Sequence, residues 1–329
     1  MSESRRPVHP WVAAGSEQVR FAVTSGLIPD HRLMRDEIRY LEGLGFDAVF
    51  LPDHPLAVMG DPWLTLAGCV DATTSIRLGV MVSCVAYRHP AMLARAAADV
   101  DRMSDGRAIL GLGSGDMPHE FAMLGLDWGT PRTRRERLEQ TLHVMPKLLR
   151  GEPVTYEGTG FALHDAALPM PAVQEPHVPI VVAGGSRGSL QLAAEHADAV
   201  NLGAVAWAGG AFSTDDVSAK LATLDQFCAS SSRAPDSVLR TGFVGLSIAR
   251  TTDEARARLE QVPPEFRGFF SGLFFAGNPD DVGVYLQKMI SAGYQYLVFL
   301  TVDLFAGSRV MTELLVSEVL PQLRHRHPA

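Results

Sequence analysis

Short apolar runs alternate with longer amphipathic segments along most of the chain. Each run is bounded by polar, glycine or proline residues and is followed by a stretch with helical spacing of its apolar positions, which is typical of strands buried in a parallel sheet. The predicted strands are 20–25, 47–51, 77–84, the run that opens at 107, 180–183, 199–203, 241–249 and 296–301. Eight strand–helix units predict an α/β fold, and the count favours a closed (β/α)8 TIM barrel over an open doubly wound sheet.

One segment interrupts this rhythm. Residues 151–179 are rich in proline and glycine and have no helical pattern, so they are interpreted as an insertion, with a hairpin at 154–156 and 161–163. Residues 19–329 are otherwise expected to form a single barrel domain, preceded by a loosely held arm over residues 1–18.

Composition excludes several classes of function. The formal net charge of −8 argues against non-specific binding to nucleic acid or to an anionic membrane surface. No apolar run reaches the length of a membrane span, and no signal peptide is apparent. The three cysteines lack the spacing of a metal site, and their odd number favours a reducing, cytoplasmic setting.

Ligands of such barrels bind at the carboxyl ends of the strands, so the candidate chemistry lies just after each predicted strand. This criterion selects Asp53 and His54, Tyr87 to His89, Asp116 to Glu120, Gly184 to Gly188, and Asp303. His54 is either a proton donor or acceptor, or a histidine satisfied by Asp53 or a backbone carbonyl.

The stretch from Arg107 to Glu120 combines a buried strand, three glycines that permit close backbone approach, and acidic residues. Asp116 and Glu120 are four residues apart, which on a helical turn makes either a paired acid–base site or a solvated helix start. His119 is expected to be structural or exposed.

Two places offer an anion site. Gly184-Gly185-Ser186-Arg187 precedes a helix, so its N–H groups, hydroxyl and cation fit a phosphate, although a plain strand-to-helix turn also favours glycine. Arg88 is either a second anion contact or part of a surface salt bridge. The spacing of Gly111, Gly113 and Gly115 is not that of a dinucleotide-binding fingerprint. His325 and His327 lie in the terminal tail, and no metal is expected.

Several motifs resemble those of the bacterial luciferase-like oxidoreductase superfamily. They are GFDAVFLPDH (45–54), IRLGVMVSCVAYRHP (76–90) and DRMSDGRAILGLGSGD (101–116), with further matches at 171–176, 182–186, 197–201 and 277–282. The resemblance implies a (β/α)8 barrel with insertions that binds FMN or the deazaflavin coenzyme F420 at the carboxyl ends of the strands. Its members are monooxygenases, often supplied with reduced FMN by a separate reductase, or deazaflavin-dependent hydride-transfer enzymes.

The resemblance also implies roles for individual residues. His54 matches a histidine that faces flavin and substrate, and Asp116 matches a position that is often glutamate in deazaflavin enzymes. Ser114 stands where true luciferases have an arginine for the FMN phosphate, which favours the deazaflavin. A non-proline cis peptide is expected near Val80–Met81. The implied cofactor contacts are Asp53, Val80, Met81, Ser114, Gly115, Ala183, Gly184, Gly185 and Ser186.

The resulting prediction is an oxidoreductase that uses coenzyme F420 for hydride transfer to or from a small organic substrate, with His54 and Asp116 in proton transfer. The alternative is an FMN-dependent monooxygenase using O2 and a separate reductase; a non-catalytic flavin-binding protein and a metal-dependent hydrolase are more distant. A homodimer is common in the family, and the helices after the second and third strands are candidates for its interface.

The substrate pocket is expected between the 151–179 insertion, Met59 to Trp63 and the loop after the seventh predicted strand. The aromatic residues there indicate a hydrophobic or extended substrate, or else core packing: Trp63, Trp128, Phe161, Phe269 and Phe270.

Overall fold

A computed structural model describes residues 8–25, 28–55, 60–303 and 308–323, apart from the side chains of Ser16 and Glu17. Its strands are β1 (Arg20–Thr24), β2 (Ala48–Leu51), β3 (Arg77–Cys84), β4 (Ala108–Gly113), β5 (Val154–Glu157), β6 (Ala162–Ala166), β7 (Ile180–Ala183), β8 (Ala199–Asn201), β9 (Leu239–Ile248), β10 (Phe274–Gly277) and β11 (Tyr296–Thr301).

Eight of these strands form a closed parallel barrel in the order β1-β2-β3-β4-β7-β8-β9-β11, with β11 returning to β1. The predicted (β/α)8 barrel is therefore confirmed. A ninth parallel strand, β10, pairs with the last part of β9 from Gly245 to Ile248, beyond the point where β8 ends. Residues 154–166 contain the predicted hairpin, in which β5 and β6 pair antiparallel.

Helices surround the barrel. They are α1 (Pro10–Glu17), α2 (His31–Gly43), α3 (Pro62–Cys69), α4 (Pro90–Met103), α5 (Pro118–Met123), α6 (Pro131–Leu149), α7 (Arg187–His196), α8 (Thr214–Ser230), α9 (Thr252–Glu260), α10 (Pro264–Phe269) and α11 (Pro279–Ser291), followed by a C-terminal helix with α-helical Val310–Leu314, π-helical Leu315–Val319 and α-helical Leu320–Leu323. Polar caps explain several of the starts. Thr130 caps α6 just before Pro131, Asn278 caps α11 before Pro279, and Thr251 with Glu254 forms a capping box on α9.

The strands bury residues on both faces, because alternate side chains point into the barrel and out toward the helices. The interior cluster includes Phe50, Met81 and Ile109, whereas the outer layer includes Leu78 and Leu110. This two-sided burial is why the strands are continuous apolar runs in the sequence.

The amino-terminal end of the barrel is closed by α1, where the sequence predicts a loosely held arm. Trp11 is only 2% exposed and belongs to the interior cluster. The Arg20 Nη2 donates to the Trp11 carbonyl at 2.7 Å, and the Arg20 guanidinium lies 5.1 Å and 4.9 Å from the centroids of the Trp11 and Tyr296 rings. The described part of the arm is thus a packed element, because Trp11 and Val12 supply apolar surface that fills the barrel end.

One buried carboxylate, that of Asp101, fixes a loop at this same end. Asp101 Oδ2 accepts hydrogen bonds from the backbone N–H groups of Val173 at 2.8 Å and Gln174 at 3.0 Å. The Gln174 amide donates to Asp101 Oδ1 at 2.6 Å and to the Ala108 carbonyl at 2.9 Å. The end of the 151–179 insertion is thereby tied to α4 and β4.

His9, which caps α1, should make stability depend on pH. Its Nδ1 accepts from the Trp11 N–H at 3.0 Å and its Nε2 donates to the His177 carbonyl at 2.8 Å, so the neutral ring uses both nitrogens. Burial lowers the pKa of His9 below its usual value near 6.5, against the opposing charge of Asp198. The unfolded chain therefore binds the proton more readily, and the stability that neutral His9 provides is lost as pH falls below about 6.5.

We expect urea denaturation to show a larger loss of stability between pH 7.5 and pH 5.5 in the unsubstituted protein than in His9→Asn, which keeps a capping side chain. His164→Asn, at an exposed histidine of β6, is the matched control and should keep the original pH slope. Parallel slopes for the unsubstituted protein and His9→Asn would contradict this account.

Candidate active site

A buried carboxylate joins the carboxyl ends of three neighbouring strands. Glu120, in α5 after β4, is only 3% exposed. Its Oε2 accepts the Tyr87 hydroxyl, which follows β3, at 2.8 Å and lies 3.2 Å from Nδ1 of His54, which follows β2. The structure thus brings two predicted candidates, His54 and Glu120, into direct contact, and Tyr87 from a third predicted segment binds the same carboxylate.

This arrangement assigns the proton positions on the His54 ring. An ionised carboxylate can only accept hydrogen bonds, so His54 Nδ1 carries the proton that it donates to Glu120. The other ring nitrogen, Nε2, is then the atom that can accept a proton from a ligand. Burial and the hydrogen bond to Glu120 raise the pKa of Tyr87 well above its usual value near 10, so Tyr87 remains a donor.

Asp116 lies in the turn between β4 and α5. Because α5 begins at Pro118, the two acidic residues do not share a helical turn as the four-residue spacing suggested. They nevertheless interact: burial raises the pKa of Asp116, the His54 ring opposes this, and the charge of Glu120 raises it further. Asp116 is therefore the carboxyl group of this cluster that takes up a proton more readily than usual. His119 is exposed, as expected.

The three glycines of β4 and its turn permit close packing within the protein. A Cβ on Gly111 would lie 2.5 Å from the Val80 carbonyl oxygen, and one on Gly113 would lie 2.5 Å from Val82 Cγ2. Gly115 has φ +87°, and a Cβ there would lie 2.7 Å from Phe121 Cε2. The absence of side chains at these glycines lets strand β3 and helix α5 pack closely against them.

The register of β3 with β4 shifts between Val80 and Ser83, and the non-proline cis peptide lies at Met81–Val82. It is one residue beyond the Val80–Met81 position that the sequence predicts. The Val80 side chain is fully buried in the outer layer between barrel and helices, so side-chain contact with a ligand at the mouth falls to Met81 and to the half-buried Val82.

Arg88 binds two carboxylates rather than standing free for an anion. Its Nη1 donates to Asp53 Oδ2, and its Nη2 donates to Asp61 Oδ2 at 2.5 Å. Burial raises the pKa of Asp53, and the hydrogen bond from Arg88 opposes this shift. The salt-bridge interpretation of Arg88 is therefore the one that the structure favours, and the pair holds the segment after β2 against the segment after β3.

The glycine-rich segment after β7 forms a tight contact with the segment after β8. The Gly184 N–H donates to the Asn201 carbonyl at 2.8 Å, and the Gly185 N–H donates to the Ala208 carbonyl at 3.1 Å. A Cβ on Gly185 would lie 2.1 Å from the Gly209 carbonyl oxygen. Both N–H groups are thus used within the protein, and a phosphate would have to bind the N–H groups of the first turn of α7, which have no acceptor inside the helix.

The cation beside this segment is not the one that the sequence indicates. The Arg187 guanidinium lies 4.8 Å from the centroid of the Phe227 ring on α8. Lys220, also on α8, passes close to Gly185, since its Cδ lies 3.0 Å from where a Cβ on that glycine would be, and its Nζ is 3.3 Å from Asp216. Lys220 could not be found from the sequence, because it lies far from these glycines along the chain and no local motif indicates a role for it.

Of the remaining candidates, those that the structure describes make no hydrogen bond to Glu120 and have other partners. Asp303 Oδ2 accepts the Thr312 N–H at 2.9 Å, which ties the end of β11 to the C-terminal helix. Trp63 is buried and donates to Ser83 Oγ at 3.0 Å, and Trp128 packs edge-on against Phe121 with ring centroids 4.8 Å apart. Phe161 stacks on Tyr156 within the hairpin. Met59, His325 and His327 lie outside the described residues.

Over the described ranges, no three His, Cys, Asp or Glu side chains are grouped as a metal site would require. Within the same ranges, no helix has the length and apolar character needed to cross a membrane.

Comparison with known proteins decides the family. The model of the luciferase-like monooxygenase family matches residues 7–296. The chain belongs to the luciferase-like monooxygenase family. The resemblance noted in the sequence is therefore confirmed over most of the chain.

Curated members of this family resemble part of the chain. The F420-dependent glucose-6-phosphate dehydrogenase of Microbacterium testaceum (strain StLB037) is 34% identical over 166 residues, which are 48% of this chain and 48% of that protein. The 4-hydroxyprotoasukamycin monooxygenase of Streptomyces nodosus subsp. asukaensis is 35% identical over 147 residues, 44% of this chain and 39% of that protein. The chain thus matches less than half of the length of either relative.

A solved structure supports the fold of this luciferase-like protein. The coenzyme F420 dependent tetrahydromethanopterin reductase from Methanopyrus kandleri superposes with a TM-score of 0.78 at 20% identity, covering 93% of this chain and 99% of that chain.

Removing Arg88 should leave the buried Asp53 carboxylate without a cationic partner and so destabilise the protein. We expect Arg88→Met to lower the free energy of unfolding by about 3 kcal/mol, because breaking a buried ion pair strands the remaining charge. The double variant Asp53→Asn/Arg88→Met should recover much of this loss. Arg132→Met, which removes an exposed helical pair with Glu136, is the control and should have little effect. Equal effects of the two arginine substitutions in chemical denaturation would contradict the assignment.

Proposed function

We propose that the protein is an oxidoreductase that uses coenzyme F420 for hydride transfer to or from a small organic substrate. The observation that carries this proposal is the cluster of His54, Glu120 and Tyr87 at the barrel mouth. Oxidising an alcohol to a carbonyl removes a hydride from carbon and a proton from oxygen. The cluster offers a positioned acceptor for that proton, which a purely binding protein would not need.

The residues at the mouth fit a flat ring system with a phosphate-bearing chain. The N–H groups of Arg187 and Gly188 in the first turn of α7 suit the phosphate, as does the cation of Lys220, which is shared with Asp216. The exposed Ser186 hydroxyl caps the helix by accepting the Ser189 N–H at 3.2 Å, and its own proton is the donor that it would offer. The half-buried Ser114, Gly115 and Ala183, with Met81 and Val82, would lie along the ring. When bound, the deazaflavin supplies the hydride acceptor or donor.

The chain's own residues would manage the proton. His54 Nε2 would accept it from the substrate hydroxyl, or return it to a carbonyl oxygen in the reverse direction. Glu120 and Tyr87 would hold the ring in the required orientation, and the negative charge of Glu120 would stabilise the protonated imidazole. Asp116, beside His54, would be a second site for the proton.

A second candidate is monooxygenation with reduced FMN, supplied by a separate reductase, and O2. The similarity to 4-hydroxyprotoasukamycin monooxygenase supports it, as does the match to the family model. Against it stands Ser114, which by the family resemblance replaces the arginine that true luciferases use for the FMN phosphate and so favours F420. The two candidates differ in whether oxygen is consumed.

Oxidation of reduced cofactor in the presence and absence of oxygen tests the proposal. Reduced F420, mixed anaerobically with a panel of ketones, imines and electron-poor alkenes, should be oxidised by the protein with at least one of them. Reduced FMN in air should show no substrate-stimulated oxygen consumption. Stimulated oxygen consumption with FMN alone would replace the proposal by the monooxygenase, and no stimulation with either cofactor would overturn both.

Substitutions in the cluster should lower turnover more than cofactor binding. We expect His54→Ala to lower kcat by about 10²- to 10⁴-fold, the usual contribution of a general acid or base. Glu120→Gln keeps the shape but removes the charge and should lower kcat by about tenfold to a hundredfold, with an altered pH–rate profile. Cofactor Kd should change less than twofold in both. An unchanged pH–rate profile in Glu120→Gln would remove Glu120 from the mechanism.

We also propose a homodimer. Leu64 on α3 and Met92 on α4 are exposed apolar residues on the two helices that the family resemblance favours for the interface. Sedimentation equilibrium should give about twice the chain mass of 35.6 kDa, and a monomer at micromolar concentration would refute this.

A further inference from the structure

An exposed tryptophan lies beside the phosphate-binding segment. Trp207 is 58% exposed, in the 3-10 turn Ala206–Ala208 that follows β8. The whole segment 202–213 contains no charged residue. A large apolar ring left in water at a ligand-binding barrel end indicates a surface that a ligand covers.

The turn that carries Trp207 is held in place. The Ala208 carbonyl accepts the Gly185 N–H at 3.1 Å, and the Gly210 N–H donates to the Val205 carbonyl at 2.9 Å. The close contact between Gly185 and Gly209 leaves no room for a side chain at either position. The position of Trp207 relative to the proposed cofactor phosphate is therefore set by backbone contacts.

A second segment continues the apolar surface. The Trp207 ring meets Phe269 edge-on with centroids 4.9 Å apart, and Phe269 meets Phe270 at 4.8 Å. Phe269 is the last residue of α10. The structure describes every residue of this helix, and none of them is buried. Two segments, one after β8 and one before β10, thus present three half-covered aromatic rings at one edge of the mouth.

Charge in this region is scarce. In 263–273 the charged residues are Glu265 and Arg267, and the Arg267 Nε donates to the Val262 carbonyl at 3.1 Å. In these two segments Arg267 is therefore the one cation, and a backbone carbonyl already uses its Nε. A charged substrate buried against the rings would lose hydration and meet few charged partners there.

We infer that Trp207, Phe269 and Phe270 form the substrate-binding wall of the mouth and that the substrate is an uncharged, predominantly apolar organic molecule. The inference rests on the proposed function, because it takes the same mouth to be the site of the reaction. The continuity of the aromatic edge with the Gly185 segment favours a small ligand next to the cofactor over a protein partner. The rings contribute contact area and shape, whereas orientation of the reacting oxygen falls to His54.

A homologous series of neutral ligands tests this inference. The protein, with and without F420, is titrated with 2-butanone through 2-octanone, and binding is followed by isothermal titration calorimetry. Each added CH2 should tighten binding by about threefold to fourfold, the usual effect of burying a methylene group. Trp207→Ala should weaken binding of 2-octanone at least tenfold. Val284→Ala, at a residue that is 57% exposed on α11, is the control and should have no effect.

Binding of F420, followed separately by the fluorescence of the deazaflavin, distinguishes the two claims. F420 affinity should change less than twofold in Trp207→Ala. If F420 binds but ketone affinity does not depend on chain length or on Trp207, the aromatic wall is overturned and the proposed function stands. If ketones bind as expected but F420 does not, the cofactor proposal fails instead. Tighter binding of glucose 6-phosphate than of 2-octanone, or a change in oligomeric state alone in Trp207→Ala, would also overturn the inference.

Discussion

The buried carboxylate of Glu120 organises the mouth of this barrel. A carboxylate removed from water needs donors, and here they come from His54 and Tyr87, on segments that follow different strands. The same contacts that satisfy Glu120 orient the His54 ring and leave its Nε2 for a ligand. The need to satisfy one buried charge therefore determines the geometry of a candidate acid–base group.

The two ends of the barrel use buried polar groups differently. At the amino-terminal end, the Arg20 guanidinium lies against the Trp11 and Tyr296 rings, and the Tyr296 hydroxyl donates to Asp47 at 2.5 Å. These contacts pair polar groups within the protein and close the barrel, although the buried Arg20 Nε has no hydrogen-bond partner among the described residues. At the carboxyl end, Asp116 and Ser114 remain half-buried, and Asp116 interacts with Glu120. This asymmetry fits a fold in which one end provides stability and the other binds ligands.

Much of the fold could be predicted from the sequence, because parallel strands buried on both faces leave continuous apolar runs. The hairpin at 154–166 was also predicted, within a segment that is rich in proline and glycine and has no helical pattern. The α1 segment was not, because a single tryptophan such as Trp11 does not reveal that it fills a barrel end. The ninth parallel strand, β10, was also missed, since it is short and pairs only beyond the end of β8.

The sequence predicted which residues lie at the site, but not which side chains contact one another. His54, Asp116 and Glu120 follow predicted strands, so their presence at the mouth follows from topology. That Glu120 pairs with His54, that Arg88 neutralises Asp53, and that Lys220 approaches Gly185 depend on side-chain directions across separate elements. The glycines of 111–115 were predicted to permit close backbone approach, but the sequence did not show that the approaching elements are β3 and α5.

The most direct test of the central claim is cofactor binding. The purified protein, freed of cofactor, is titrated with F420 and, separately, with FMN in oxidised and reduced forms, following fluorescence of the added cofactor. The account predicts saturable binding of F420 that is at least tenfold tighter than binding of either form of FMN. Tighter binding of FMN in either form, or no binding of F420, would contradict it.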